Sequence, residues 1–180
     1  MKSFKIIKPR EIEGNPFQMI GSDWMLVTAE DGEKVNTMTA SWGGVGVMWE
    51  MNVATIVVRP SRYTKVFVDA AETFSLSFLD RSYRKQLNYL GTVSGRDEPK
   101  IEKSGLTVVH AEIEATKGRK ASRTPYFEES SLVLICRKVY QQVYDPAGFI
   151  DPTIARNYPT KDYHTSYIAE IIQVLKADET

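Results

Sequence analysis

Arg59-Pro60-Ser61-Arg62-Tyr63-Thr64 sets two guanidiniums and two hydroxyls within six residues, at the exit of the apolar run Val53 to Val58. That density of donors suits a phosphate group, because a planar guanidinium can give two parallel hydrogen bonds to charged oxygens. Pro60 stiffens the turn. Thr64 as the cap of a short helix would add backbone N–H groups and a favourable dipole. The plainer reading of the same residues is a solvated surface, where arginines usually lie. A second segment, Asn36-Thr37-Met38-Thr39-Ala40-Ser41-Trp42-Gly43-Gly44-Val45-Gly46, is a strand running into a glycine loop. Small side chains there would admit a flat, polar-edged ring close to the backbone N–H groups. A β-bulge or barrel corner would favour glycine as well.

Other reactive residue types are sparse. His164 sits among Tyr158, Tyr163 and Tyr167. It is either a ligand contact that tunes protonation near neutral pH or a hydrogen-bonded structural histidine. His110, between Val109 and Ala111, is given no role. Trp42 and Trp49 flank the glycine loop and could shield a ring or fill an interface, the latter being the expectation for Trp49. Cys136, the sole cysteine, lies in the apolar run Leu132 to Cys136 and reads as a small buried hydrophobe. One cysteine and two distant histidines make no zinc site. The glycine cluster lacks the G-x-G-x-x-G spacing, and there is no Gly-Lys-Ser/Thr loop, His-Glu-x-x-His or Gly-x-Ser-x-Gly. A chain without these constellations leaves the chemistry to a bound cofactor.

The elements expected to position these residues are mostly short strands. Residues 24–28 and 35–41 form a hairpin across the turn Glu30-Asp31-Gly32-Glu33, and Val53 to Val58 is a buried strand. Residues 64–71 read as a short helix in which Val66 meets Ala70 and Phe67 meets Ala71. Phe74, Leu76 and Phe78 alternate with Ser75 and Ser77, which predicts a strand over 73–79 with one wet face. Ser82 is the expected cap of a second helix bearing Tyr83, Leu87 and Leu90, with Gly91 just past its end. A further helical turn at 99–104 precedes strands at 107–114, 132–144 and 167–175. Gly43 to Gly46 breaks the pattern. The architecture this implies is mainly β with peripheral helices, in a barrel.

Composition is consistent with a single domain over residues 1–180, with 1–20 as a lead-in segment. A chain of 180 residues buries roughly 70% of its unfolded surface on folding, so it needs no disulfide staple. Lysine plus arginine and aspartate plus glutamate each number 23, for a formal net charge of zero. That balance argues against nucleic acid and against a polybasic membrane contact; any positive site must be local. The first ten residues interleave charge with apolar side chains, so no secretory signal or membrane span is expected and the cytoplasm is the default location.

Taken together, Asn36 to Gly46 followed by Arg59 to Thr64 resembles the flavin reductase-like, flavoredoxin-type FMN-binding family. Gly91-Thr92-Val93-Ser94-Gly95-Arg96-Asp97 and Asp162-Tyr163-His164 through Tyr167-Ile168-Ala169-Glu170-Ile171 extend the similarity from Trp24 to the last strand. The resemblance implies an FMN-binding split β-barrel that forms a homodimer and holds FMN noncovalently near the dimer interface. It implies that Met38, Thr39, Ala40, Ser41 and Trp42 line the isoalloxazine and ribityl chain. Arg59, Ser61, Arg62 and Thr64 would take the phosphate, and Asn88, Ser94 and Gly95 would lie along another side of the flavin. His164 would be a flavin-edge or substrate contact. Leu90 stands where many relatives carry cysteine, and Ala169 where glycine is common. The implied activity is hydride transfer from NADH or NADPH to FMN. The alternative is an FMN electron carrier that exchanges electrons with a redox partner protein without nicotinamide turnover. A third class would hold haem or a deazaflavin in the same barrel.

Overall fold

The computed structural model describes residues 2–32, 34–116 and 120–178. Glu33, expected in the first hairpin turn, lies outside them, as does Met1. The strands are β1 (Phe4–Ile7), β2 (Met25–Asp31), β3 (Lys34–Ala40), β4 (Gly43–Met48), β5 (Met51–Val58), β6 (Thr73–Leu79), β7 (Val108–Ile113), β8 (Ser122–Phe127), β9 (Ser130–Val143) and β10 (Thr165–Ala177). The α-helices are α1 (Thr64–Ala70), α2 (Arg84–Thr92) and α3 (Lys100–Ser104). One antiparallel sheet runs β3-β2-β6-β9-β10-β5-β4, with β1 also paired to β10, and β7 and β8 form a separate ribbon. No helix among the described residues is long and apolar enough to cross a membrane.

The sheet curls. Met38 on β3 and Ile56 on β5 belong to opposite ends of the strand order, yet both are buried in one cluster with Val27, Phe74, Leu134 and Tyr167. Each side chain comes from the inward positions of its strand, so burying the apolar faces forces the two ends toward each other. The barrel is not closed, because β3 and β4 are not paired to one another. The expected mainly β barrel with peripheral helices is therefore observed in an open, split form.

Several local expectations change. The glycine cluster Gly43 to Gly46 is not a break: residues 43–48 form edge strand β4, in register with β5 from Gly43↔Ile56 to Met48↔Met51. Tertiary pairing overrides the weak strand preference of glycine there. Trp49 and Glu50 make the tight turn between them, both at positive φ (50° and 61°), the backbone a two-residue hairpin demands. Residues 4–7, read as part of a lead-in, add a strand to β10. Residues 122–127 form a strand despite Pro125, which is tolerated on this ribbon edge. In α1 the buried side is Thr64, Phe67 and Val68, whereas Val66 is 48% exposed. The N-cap of α1 is Tyr63, not Thr64. The helical turn at residues 81–83 is capped by Asp80, whose carboxylate accepts from Ser82 N, so Ser82 is not the cap. Gly91 lies inside α2 and not beyond it.

The wet face predicted for β6 does not exist. All seven of its residues are buried, because the β7–β8 ribbon covers the serine side. Ser75 Oγ donates to Pro125 O at 2.5 Å, the hydroxyls of Thr73 and Thr124 meet at 2.7 Å, and Phe127 N donates to Ser77 Oγ. Hydroxyl residues can be buried where a neighbour supplies partners, which an alternation pattern does not record. Ser75→Ala strands the Pro125 carbonyl in a dry interface and is expected to cost about 1–3 kcal/mol. A urea titration checks this; a solvent-facing serine would change stability by less than ~0.5 kcal/mol.

Candidate functional site

The cleft at the split is built by residues at and just beyond strand ends. Met38, Thr39 and Ala40 close β3, and Ser41 and Trp42 follow; Val57 lies near the end of β5, with Arg59 just past it; His164 immediately precedes β10. Together with Arg62 these residues line a cavity of about 160 Å³. Thr39, Ala40 and Ser41 also wall a second lobe of about 200 Å³ that reaches Trp24, Asn88, Gly91 and Thr92 on the α2 side. Thr39, Ala40 and Ser41 are the wall that the two lobes of the trough share. A larger cavity of about 370 Å³ lies under the N-terminal segment, between Met19, Ile20, Phe78 and Leu134. It is mostly apolar and lacks the convergence of cationic and hydroxyl groups found at the split, so size alone does not make it the candidate site.

Both arginines are anchored. Arg59 Nη1 bonds Asp162 Oδ2 at 2.9 Å, its Nη2 donates to Asn157 O at 2.9 Å, and its guanidinium lies 5.0 Å from the centre of the Tyr158 ring. The bond from Arg59 holds the Asp162 carboxyl below its ordinary range. Arg62 Nη1 donates to Gly91 O at 2.8 Å, and a guanidinium has further N–H groups to offer a ligand. Buried Lys100 donates to Leu90 O and Val93 O, both at 2.9 Å. Two cations thus satisfy carbonyls at the end of α2 that the helix itself leaves without partners. Burial, and then the charge of Arg62, push Lys100 down to about 8.

Close backbone approach explains two glycines near the trough. A Cβ on Gly91 would sit 3.0 Å from Thr39 Cβ, tighter than ordinary contact, so a side chain there would push α2 or Thr39 back by a few tenths of an ångström. That contact accompanies the 2.5 Å bond from Thr39 Oγ1 to Leu87 O. A Cβ on Gly95 would collide with the Asn36 amide oxygen. Asn36 in turn donates from Nδ2 to Thr64 Oγ1 at 3.0 Å, inside the protein.

His164 is 7% exposed. Its Nδ1 is 2.8 Å from the Tyr158 hydroxyl, and its ring centre is 5.2 Å from that of Trp42. Burial, reinforced by the charge of Arg59, lowers it to about 4, so it is neutral at pH 7. The ring is hydrogen-bonded and buried, as the structural reading expects, and it also walls the cleft.

Of the residues singled out by sequence, Met38, Thr39, Ala40, Ser41, Trp42, Arg59, Arg62 and His164 are brought together in the first lobe. Asn88 is in the second lobe. Ser61 is exposed on the turn between the arginines, and Thr64 is buried with its hydroxyl engaged by Asn36. Ser94 accepts from Arg96 N, and Gly95 borders a separate hollow with Asn36 and Lys100. Sequence reasoning did not single out Tyr158, Asp162 or Lys100 as site residues. The spacing of Asp162 two residues before His164 was the available signal, but nothing local pairs it with Arg59, 103 positions away.

An open antiparallel barrel with a cationic trough at its split defines the class of split-barrel binding domains. The chain belongs to the flavin reductase like domain family, whose description matches residues 18–180. It is 27% identical over 146 residues to an uncharacterized protein of Archaeoglobus fulgidus, covering 81% of this chain and 68% of that one. Among solved structures, it resembles an FMN-binding domain of a flavin reductases-like enzyme from Shewanella baltica OS155 (TM-score 0.64, 17% identity, 97% of this chain and 78% of the other). It also resembles the flavoredoxin of Desulfovibrio vulgaris (Miyazaki F) (TM-score 0.63, 23% identity, 96% and 77%). At these identities the two structures establish the fold.

A His164 held neutral when folded has a stability consequence. Its folded value of about 4 lies below the ordinary 6.5, so the unfolded chain takes up a proton first as pH falls. Stability from this group is intact above pH 6.5 and is lost as pH drops toward 4. The wild type should therefore lose about 2–3 kcal/mol between pH 7 and pH 4.5 that His164→Gln does not lose. Urea unfolding of both proteins at the two pH values checks this; equal losses would mean that His164 protonates freely in the folded state.

Proposed function

We propose that the chain is an FMN-binding oxidoreductase that takes hydride equivalents from NADH or NADPH. The observation that carries the reading is the trough itself: residues 38–42 form one wall, and Arg59 and Arg62 stand at its cationic rim. The residues fit the group. Arg62 commits one N–H to Gly91 O, which leaves donors for a phosphate, with Arg59 and exposed Ser61 close in sequence. Trp42 is 46% exposed beside the cleft, a flat surface against which a ring can lie. Thr39, Ala40 and Ser41 are small enough to admit a ring close to their backbone. Asn88 extends the wall along the second lobe, while Ser94 and Gly95 shape the turn that backs Asn36.

Bound FMN would supply the redox chemistry, accepting hydride and passing electrons onward. The side chains bind, orient and exclude water. Arg59 and Arg62 neutralise the phosphate, and neutral His164 adds no charge to the ring pocket. Hydride transfer needs no acid–base side chain, in keeping with a cleft whose only histidine stays unprotonated at neutral pH. Edge strand β4 and its turn present Val47 (74% exposed) and Trp49 (56% exposed). An apolar, unpaired edge of this kind is matched by a second copy of the chain. Homodimerisation is thus part of the proposal, and light scattering at micromolar concentration should return twice the chain mass.

The clamp is tested by paired titrations. Arg62→Ala should lose roughly 1.5–3 kcal/mol of FMN affinity, the scale of a hydrogen bond to a charged group. Riboflavin, which lacks the phosphate, should be affected far less, and Arg62→Lys should recover only part of the loss. Equal weakening for both ligands would show that the arginine shapes the pocket without reading phosphate. Steady oxidation of NADH or NADPH by the FMN-loaded protein supports the reductase. Inertness to both, with reduction by a partner protein, would assign it as an electron carrier.

A further inference from the structure

Tyr158 is buried, lies outside the trough, and bonds Nδ1 of His164, while the histidine ring itself walls the trough. We propose that Tyr158 is a positioning residue. By donating its O–H to His164 Nδ1 it fixes the imidazole as the Nε2–H tautomer, which makes His164 a hydrogen-bond donor to an acceptor atom on the ring of the bound ligand.

The direction of the Tyr158–His164 bond follows from the chemistry of the two groups. A phenol is a stronger acid than a neutral imidazole N–H, and the unprotonated imidazole nitrogen is the stronger base, so the 2.8 Å contact is best made with the phenol donating. Burial raises the Tyr158 phenol above its ordinary value, so its proton is in place across the neutral range. His164 is kept unprotonated by burial and by Arg59, which leaves Nδ1 with a lone pair to accept. One proton then remains on the ring, and it must be on Nε2. Among the described residues Nε2 makes no hydrogen bond, while the ring lines the cleft beside Trp42. A donor in a cleft wall without a protein partner points to a partner in the ligand.

Tyr158 is in turn held from behind. Arg59 lies 5.0 Å above its ring, and is itself fixed by Asp162 and by the carbonyl of neighbouring Asn157. Phe149 stacks on the Tyr158 ring at 5.7 Å and 9°. The line Asp162–Arg59–Tyr158–His164 therefore joins the cationic rim to the ring wall through contacts on one short segment, residues 157–164. The ligand class it selects is a planar ring with an oxygen or nitrogen acceptor at its edge. A cationic or donor-only edge would meet an N–H and would be refused.

The tautomer can be read without any ligand, so this part of the test is independent of the FMN reading on which the donor role rests. The full chain carries two histidines. With ¹⁵N-labelled histidine, and His110→Gln to assign the signals, the NMR spectrum at pH 7 should show His164 protonated at Nε2 and bare at Nδ1. Tyr158→Phe should remove that bias and give a tautomer mixture. A His164 protonated at Nδ1 in the wild type, or a Tyr158→Phe spectrum unchanged from wild type, would overturn the proposal, and the wild-type spectrum decides even if the variant unfolds. Adding FMN should shift Nε2 and leave Nδ1 nearly still; movement at Nδ1 alone would overturn the donor role. His164→Gln, whose amide N–H reaches the position of Nε2, should keep FMN affinity within a few-fold, whereas His164→Ala should lose about tenfold, one hydrogen bond's worth. Equal loss in both would reduce His164 to a structural wall. If the wild type shows the tautomer but does not bind FMN, the FMN reading fails and Tyr158 keeps its assignment.

Discussion

The register between β5 and β10 fixes the site. Thr165 pairs with Val58, so the residue before one and the residue after the other, His164 and Arg59, emerge side by side at the mouth of the barrel. Ala40 pairs with Met25 at the end of β3, which brings Ser41 and Trp42 out at the same rim. A side chain one step beyond a paired strand is held nearly as firmly as the strand, yet is free of the alternation that would send it into the core or to the outside. A slip of one residue in the β5–β10 pairing would exchange inner and outer faces along β10 and remove Tyr167 and Ala169 from the core. The penalty for such a slip therefore falls on packing, while its consequence would be felt at the cleft.

The charge of the cleft is local and uneven. Arg59 and Arg62 line it, Lys100 lies behind it against the end of α2, and Asp162 pairs with Arg59. The protein as a whole is neutral, so this excess is a property of the place and not of the chain. Its mark is on two neighbours: Lys100 and His164 are both lowered, burial leading and arginine charge adding to it. Negative charge between the arginines would offset only the smaller, arginine part of each shift and leave the part due to burial.

Much of this was legible in the sequence where chemistry was local. The six residues 59–64 announce a cluster of donors, the run 53–58 announces a buried strand, and Cys136 is fully buried, which raises its thiol far above the ordinary value. What was not legible depended on distant partners. Ser75 and Ser77 look like a wet face until a ribbon 50 residues away covers them. Gly91 looks like a helix end until Thr39 is found against it. Asp162 and Tyr158 look like loop residues until Arg59 reaches them. Each of these is a long-range contact that reverses a local preference, and no window of neighbouring residues contains it, whereas the misplaced caps at Ser82 and Thr64 are shifts of one or two residues.

The same distinction separates what the site binds from what it can do. A histidine that stays neutral until about pH 4 cannot act as a proton donor of the imidazolium kind at neutral pH, and the one buried thiol is walled off from the cleft. The remaining groups are guanidiniums, hydroxyls, an indole and backbone. Such a set can grip an anion, flatten a ring against a wall and keep water off one face, but it has little reactivity of its own. What the cleft can discriminate therefore rests on geometry: the spacing of the two arginines from the β3 wall, and the contacts that hold His164 in place beside Trp42.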